Sequence, residues 1–241
     1  MNNNYTVMVV LFGSLISLIG TMIGASMGIM VRKPSNKLLG ATVGFAGGLM
    51  LSIVVFDLIP ESITHWGLFK TVFFCIIGVI TIIYMDRKVS LKGMNQHMKV
   101  AVMTALGLMI HNFPEGIIMG CGFATGGSLG LKMSLVIAIH DIPEGISVSA
   151  PLMASKVKAG KILLYAFLTA FPTAIGAFLG AYIGSVSKDI LGACLALASG
   201  IMLFVVCGEM MPESNKLWDG LTSTLGVLGG ILSGLIIIQF L

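Results

Sequence analysis

Apolar residues fall into eight stretches separated by short polar, glycine- or proline-containing breaks, near residues 5–31, 37–62, 67–85, 98–122, 128–150, 159–186, 189–213 and 219–241. About 20 apolar residues in a helix cross the hydrocarbon of a bilayer. The pattern therefore predicts an all-α membrane protein with eight transmembrane helices, here spans 1 to 8. The connections are too short for a soluble domain, so residues 1–241 read as one polytopic membrane domain: spans 1–3 over about 5–85, spans 4–5 over about 98–150, and spans 6–8 over about 159–241. The first stretch reads as a span rather than a cleavable signal, since it lacks a basic start and is too long for a signal core.

Composition agrees. With 56% hydrophobic and 10% charged residues and a mean hydropathy of +1.02, the chain lies far outside the soluble globular range. Its charge is distributed unevenly. If the amino terminus is outside, the odd-numbered connections hold 11 of the 14 basic residues, among them Arg32, Lys33, Arg87, Lys88, Lys156 and Lys161, whereas the other side has only Lys70, Lys132 and Lys188. Because cytoplasmic loops carry the excess of lysine and arginine, both termini are expected outside. The net charge of +4 is this loop bias, with no nucleic-acid patch in it. Cys75, Cys121, Cys194 and Cys207 stand singly in apolar runs and read as small buried hydrophobes.

The chain also repeats itself. Residues 39–62 align without gaps on 191–214, with 11 of 24 positions identical, and the same offset of 152 sets Gly24 and Gly28 of span 1 on Gly176 and Gly180 of span 6. Spans 1–3 and 6–8 are then copies of one unit. An odd number of spans separates corresponding members, so the second copy is inverted. Spans 4 and 5 match at an offset of 29. The plan is 3 + 2 + 3, a transporter signature in which substrate sites lie near the midplane on broken helices. Glycines at four-residue spacing, such as Gly20, Gly24 and Gly28 or Gly226, Gly230 and Gly234, predict close helix contacts. A second reading makes them a smooth face along which one bundle slides.

Two copies of one short pattern lie inside spans 4 and 5: His111-Asn112-Phe113-Pro114-Glu115-Gly116 and His140-Asp141-Ile142-Pro143-Glu144-Gly145. Residues four apart on a helix stand about 40° from eclipsed, so each imidazole and its carboxylate share a face. Pro114 and Pro143 cannot donate to the carbonyls of Ile110 and Ile139 and are expected to kink both helices. Glu115, Asp141 and Glu144 are mid-membrane, with no lysine or arginine near them in sequence. Such charges cost at least a few kcal/mol each on insertion scales. A proton or a bound cation must neutralise them. Imidazole nitrogen from His111 and His140, with oxygen from Asn112, Glu115, Asp141 and Glu144, suits Zn²⁺ and also Fe²⁺, Mn²⁺, Co²⁺ or Cd²⁺; it does not suit Cu(I), Mg²⁺ or Ca²⁺. Asp57 and Glu61 in DLIPES would mark an external entrance, and Glu209 and Glu213 in EMMPES a cytoplasmic exit, with helix capping the plainer role for Glu61 and Glu213. His65 and His97 read as single, solvent-facing loop histidines.

HNFPEG and HDIPEG resemble the signatures of the ZIP family (Zrt- and Irt-like proteins) of divalent metal transporters, and the resemblance covers essentially the whole chain. It implies metal movement into the cytoplasm, usually zinc, by a homodimer, through an elevator-like slide of spans 1, 4, 5 and 6 against the rest. Zn²⁺ is then the transported ion, and no cofactor is implied. The resemblance places a first metal on His111, Glu115, His140 and Glu144, with Asp141 nearby and the thioether of Met50 in reach. A second site, on Asn112, Glu115, Asp141 and Glu144, would need a glutamate on span 6, where this chain has Thr173. Glu209 matches an inner release carboxylate.

From the residues alone, two other readings stand beside a carrier. An intramembrane zinc-dependent hydrolase would use bound Zn²⁺ to activate water, but no His-Glu-x-x-His frame appears. A metal-gated receptor would have little loop surface for a partner.

Overall fold

A computed structural model describes residues 3–30, 35–88, 96–125, 127–183 and 188–240. In chain order these form α1 (Asn3–Met30), α2 (Asn36–Ile53), a π-helical turn π1 (Val54–Leu58), α3 (Ile59–Trp66), α4 (Leu68–Lys88), α5 (Gln96–Thr125), α6 (Gly127–Ala154), α7 (Ala159–Ile183), α8 (Lys188–Phe204), a second π turn π2 (Val205–Met210), α9 (Met211–Leu217) and α10 (Leu221–Phe240). There is no strand among the described residues. Among the described residues, six helical segments are long and apolar enough to cross a membrane: Val7–Met30, Asn36–Trp66, Met133–Ala154, Ala159–Tyr182, Gly192–Leu217 and Leu221–Gln239. Leu68–Tyr84 is apolar but shorter. The protein is an all-α, multi-pass membrane protein.

Local chemistry sets the element ends. Ser35 caps α2, its hydroxyl oxygen accepting from the Leu38 N–H at 3.2 Å. Gly67 ends α3 with φ +84°, a backbone region that favours glycine, while its N–H donates to Ile63 O at 2.8 Å. The π turns also have a local cause. Pro60 and Pro212 open the helices that follow and lack the N–H that a regular helix would use there. The preceding turn widens instead: Ile59 N–H reaches back five residues to Val54 O, and Met211 N–H to Val206 O. Asp57 and Glu209 sit on these two turns.

Both motif helices are continuous through their motifs. Pro143 sits inside α6, which runs unbroken from Gly127 to Ala154, and α5 runs unbroken across the first motif. The breaks in regular helix fall on π1 and π2. A proline in mid-helix can be carried when neighbouring helices hold the backbone, and here they do so closely.

Two groups of helices emerge from the packing. α1 lies on α6, α5 on α7, and α5 on α6; α2 lies on α10 and α9, and α8 on α4 and α3. The glycine stripes lie inside these groups. Gly20 and Gly24 meet the carbonyls of Ala138 and Ile142 on α6, Gly176 and Gly180 those of Phe113 and Ile117 on α5, and Gly226 and Gly230 those of Ala41 and Phe45 on α2. Their placement makes close helix contacts within each group.

Contacts recur in pairs at the sequence offsets. Gly24 faces Ile142 O as Gly176 faces Phe113 O, and Gly145 faces Thr21 O as Gly116 faces Thr173 O. Ser62 Oγ donates to Gly192 O at 2.8 Å, and Ser214 Oγ to Gly40 O at 2.6 Å.

Polarity is turned inward. Leu11, Leu15, Ile19, Ile23 and Met27 form an exposed apolar stripe on α1, while Ser17, Thr21, His111, Asn112, Glu115, Asp141, Glu144, Thr169 and Thr173 are buried on α1, α5, α6 and α7. The cysteines depart from expectation: Cys75, Cys121 and Cys194 are half-buried and Cys207 is exposed. An outward apolar side chain in a membrane protein meets hydrocarbon, so a thiol there incurs no penalty of the kind it would in water.

Close backbone approaches also occur at the motifs themselves. A Cβ on Gly116 would overlap the Thr173 carbonyl oxygen, a backbone atom with little room to yield, whereas one on Gly160 would meet nothing within 4 Å. Overpacking of this kind costs about 1–3 kcal/mol. Gly116→Ala is therefore expected to lower the melting temperature in detergent and cut transport, with Gly160→Ala unchanged. Equal stability of the two variants would contradict this packing.

Candidate metal centre

The site is built where α5 and α6 carry the repeated motifs. His111 and Asp141 have no exposure, Asn112 and Glu144 have 1% and Glu115 has 4%, so five polar or ionisable side chains lie inside a membrane protein. The helical spacing works within the first motif: His111 Nε2 is 2.9 Å from Glu115 Oε1. It also works across motifs, since the same nitrogen is 3.7 Å from Glu144 Oε1. Two donors about 2.0–2.1 Å from one tetrahedral ion stand roughly 3.3 Å apart. The two observed separations bracket that value, so a small adjustment of side chains would admit an ion. Among the described residues, no three His, Cys, Asp or Glu side chains are already disposed as a metal cage. His140 lies on α6 beside Asp141, but its side chain is outside the described residues.

Asn112 and Asp141 are each held from behind by an outer helix. Asn112 Nδ2 donates to the Thr169 carbonyl oxygen on α7 at 2.8 Å. Asp141 Oδ2 accepts from the Ser17 hydroxyl on α1 at 2.6 Å. These contacts explain why one motif carries an amide and the other a carboxylate. A carbonyl can only accept, so the residue facing Thr169 must donate; a serine hydroxyl can donate, so the residue facing Ser17 can be a pure acceptor. The Thr169 contact also fixes the amide's orientation. Asn112 Oδ1 is then a buried oxygen with no hydrogen-bond partner among the described residues. An orphaned acceptor in hydrocarbon costs about 1–3 kcal/mol unless something meets it.

Ser17 and Thr169 escape a reading of the sequence because neither belongs to a motif. The one available signal is their relation at the repeat offset, 17 to 169, matching 141 to 112. Thr173, also on α7, is buried with its hydroxyl unpartnered among the described residues, and its carbonyl abuts Gly116 beside Glu115.

Met50 is buried in the apolar cluster with Leu108 and Val148, against which Ile110 and Ile146 pack. Asp57 and Glu209 are partly exposed on π1 and π2, in the other helix group. Glu61 is exposed, and His65 is not single: its Nε2 is 2.9 Å from Glu61 Oε1, a helical i, i+4 pair. Glu213, its counterpart in the repeat, is buried instead. His97 has its side chain outside the described residues.

The fold and the site define a polytopic, multi-pass helical membrane protein with imidazole, carboxylate and amide groups buried on adjoining helices. Comparison with known proteins narrows it. The family model "ZIP Zinc transporter" matches residues 88–238, more than half the chain, and the protein belongs to that family. The Zinc transporter ZupT of Escherichia coli O7:K1 (strain IAI39 / ExPEC) is 29% identical, with 88% of each chain covered, and so are those of strain E2348/69 and of O1:K1 / APEC. The family is one of transporters of divalent metal, not of enzymes, and the hydrolase reading falls.

Proposed function

We propose that the protein carries Zn²⁺, and also Fe²⁺, Mn²⁺, Co²⁺ or Cd²⁺, into the cytoplasm through one midplane site on His111, Glu115, His140 and Glu144, with Asn112 and Asp141 as further oxygen donors and Met50 in the surrounding wall. The observation that carries this reading is the approach of His111 to a carboxylate of each motif inside a buried interior. Ligands must shed protons to take metal, so ion binding at this site is expected to release protons. The relatives named Zinc transporter ZupT favour zinc as the principal cargo. Thr173 supplies a hydroxyl where a second ion would need a carboxylate, which favours a single ion.

The eight-span, 3 + 2 + 3 inverted plan is supported by the paired contacts at offsets 152 and 29 and by the matched π turns. An elevator-type mechanism is supported by the two tightly clamped helix groups, one carrying the site and the other carrying Asp57 and Glu209. In this scheme Asp57 gathers ions at the external side and Glu209 receives them at the cytoplasmic side. The excess of basic residues in the odd-numbered connections supports a cytoplasmic membrane location with both termini outside. A lipid-embedded homodimer follows from the family resemblance.

Uptake by proteoliposomes is the test. Zinc should move down its gradient with net flux; binding without flux would overturn the carrier. Asp57→Ala is expected to slow uptake several-fold at low zinc while leaving zinc affinity in detergent unchanged, and an unaltered uptake rate would remove the external funnel.

A further inference from the structure

We propose that Ser17 is a positioning residue that sets how Asp141 presents itself to the transported ion, and thereby which ions the site prefers. The inference rests on the proposed role of Asp141 as an oxygen donor. Ser17 is 124 residues away in sequence and 1% exposed, and its hydroxyl donates to Asp141 Oδ2 at 2.6 Å. That separation is typical of a hydroxyl bonded to a carboxylate, the stronger class of hydrogen bond.

The hydroxyl has little freedom to move away. Ser17, Gly20 and Gly24 share one face of α1, and the two glycines bring that face against the carbonyls of Ala138 and Ile142, which flank Asp141 on α6. The contact is therefore a fixed post on a close-packed seam. Its counterpart across the repeat is made by the main chain, Thr169 O to Asn112 Nδ2. Of the two tethers that hold the oxygen donors from behind, only the one at Ser17 depends on a side chain.

A carboxylate with one oxygen committed to a rigid hydroxyl is biased to offer a metal the other oxygen alone. Chelation by both oxygens would require the hydrogen bond to weaken or break. Single-oxygen ligation suits Zn²⁺, which takes few ligands at short range. Two-oxygen ligation and higher coordination numbers suit oxygen-seeking ions such as Mn²⁺. Ser17 thus favours zinc by restraining Asp141.

The test measures binding of Zn²⁺ and of Mn²⁺ to the full-length protein in detergent, by competition with a chromophoric chelator. Ser17→Ala should raise the Kd for Zn²⁺ about tenfold and that for Mn²⁺ less than about twofold, a shift in preference that general loosening of α1 would not produce. Ser17→Thr, which keeps the hydroxyl, should restore the wild-type preference. In an Asp141→Ala background, Ser17→Ala should add less than about twofold, because both changes remove one interaction. Unchanged affinities, equal weakening for both ions, or full additivity with Asp141→Ala would each overturn the proposal. Glu115→Ala serves as the reference. If it binds zinc as wild type does, the site itself is wrong; if it loses zinc while Ser17→Ala does not, only the role of Ser17 is wrong.

Discussion

Glu115→Ala is expected to reduce zinc flux in proteoliposomes to below about 1% of wild type, since loss even of an outer-shell partner costs 10–100-fold at metal sites and Glu115 is proposed as a direct ligand. The residue is 4% exposed, and its carboxylate lies 2.9 Å from His111 Nε2. Its removal deletes one oxygen donor and takes the nearest carboxylate from the imidazole. Methyl-sized truncation on a half-packed surface would do neither. Asp189, exposed in the first turn of α8, provides a control whose replacement by asparagine should leave flux within twofold. His140→Ala should match Glu115→Ala if its imidazole completes the site from α6. Wild-type flux in Glu115→Ala and His140→Ala would remove the proposed site altogether.

The second large effect is on folding. Asn112→Asp places a carboxylate oxygen against the Thr169 carbonyl oxygen, where an amide now donates at 2.8 Å. Two buried acceptors at that separation repel, and leaving one partner of a buried polar contact unmet costs roughly 3 kcal/mol or more when a charge is involved. For a chain of this length that corresponds to about 6–12 °C in melting temperature. The reverse exchange, Asp141→Asn, can rotate its amide so that the carbonyl oxygen still accepts from Ser17, and should melt within about 3 °C of wild type. Melting in detergent, followed by monodispersity after heating, reads both. Equal stability of the two variants would mean that the donor–acceptor logic of the tethers is mistaken.

Much of this architecture is written in the hydropathy pattern, and the parts that are not have physical reasons. Apolar runs near 128–150 and 159–186 anticipate α6 and α7 within a few residues, because hydrocarbon thickness dictates helix length. The π turns are invisible to that pattern, since one added residue per turn leaves an apolar run apolar. Only Pro60 and Pro212, three residues after Asp57 and Glu209 in DLIPES and EMMPES, hint at them. His111 and Glu115 were readable because both lie on one helix at a spacing that aligns them. Their approach to Glu144 depends on how α5 meets α6, which no local pattern states. Ser17 is harder still. Among Gly13, Gly20 and Gly24 it looks like one more small packing residue, and only the tertiary fold brings it to Asp141. His65 is the converse case: the four-residue spacing to Glu61 was in plain view, and the side-chain contact follows it.

The account stands or falls on whether a doubly charged ion occupies the space between the two motif helices. Anomalous scattering from zinc-soaked crystals, collected on either side of the zinc edge, addresses this most directly. A single peak is predicted about 2.0–2.2 Å from His111 Nε2 and from carboxylate oxygens of Glu115 and Glu144. No peak there, with the His111 ring turned away from both carboxylates, would contradict it.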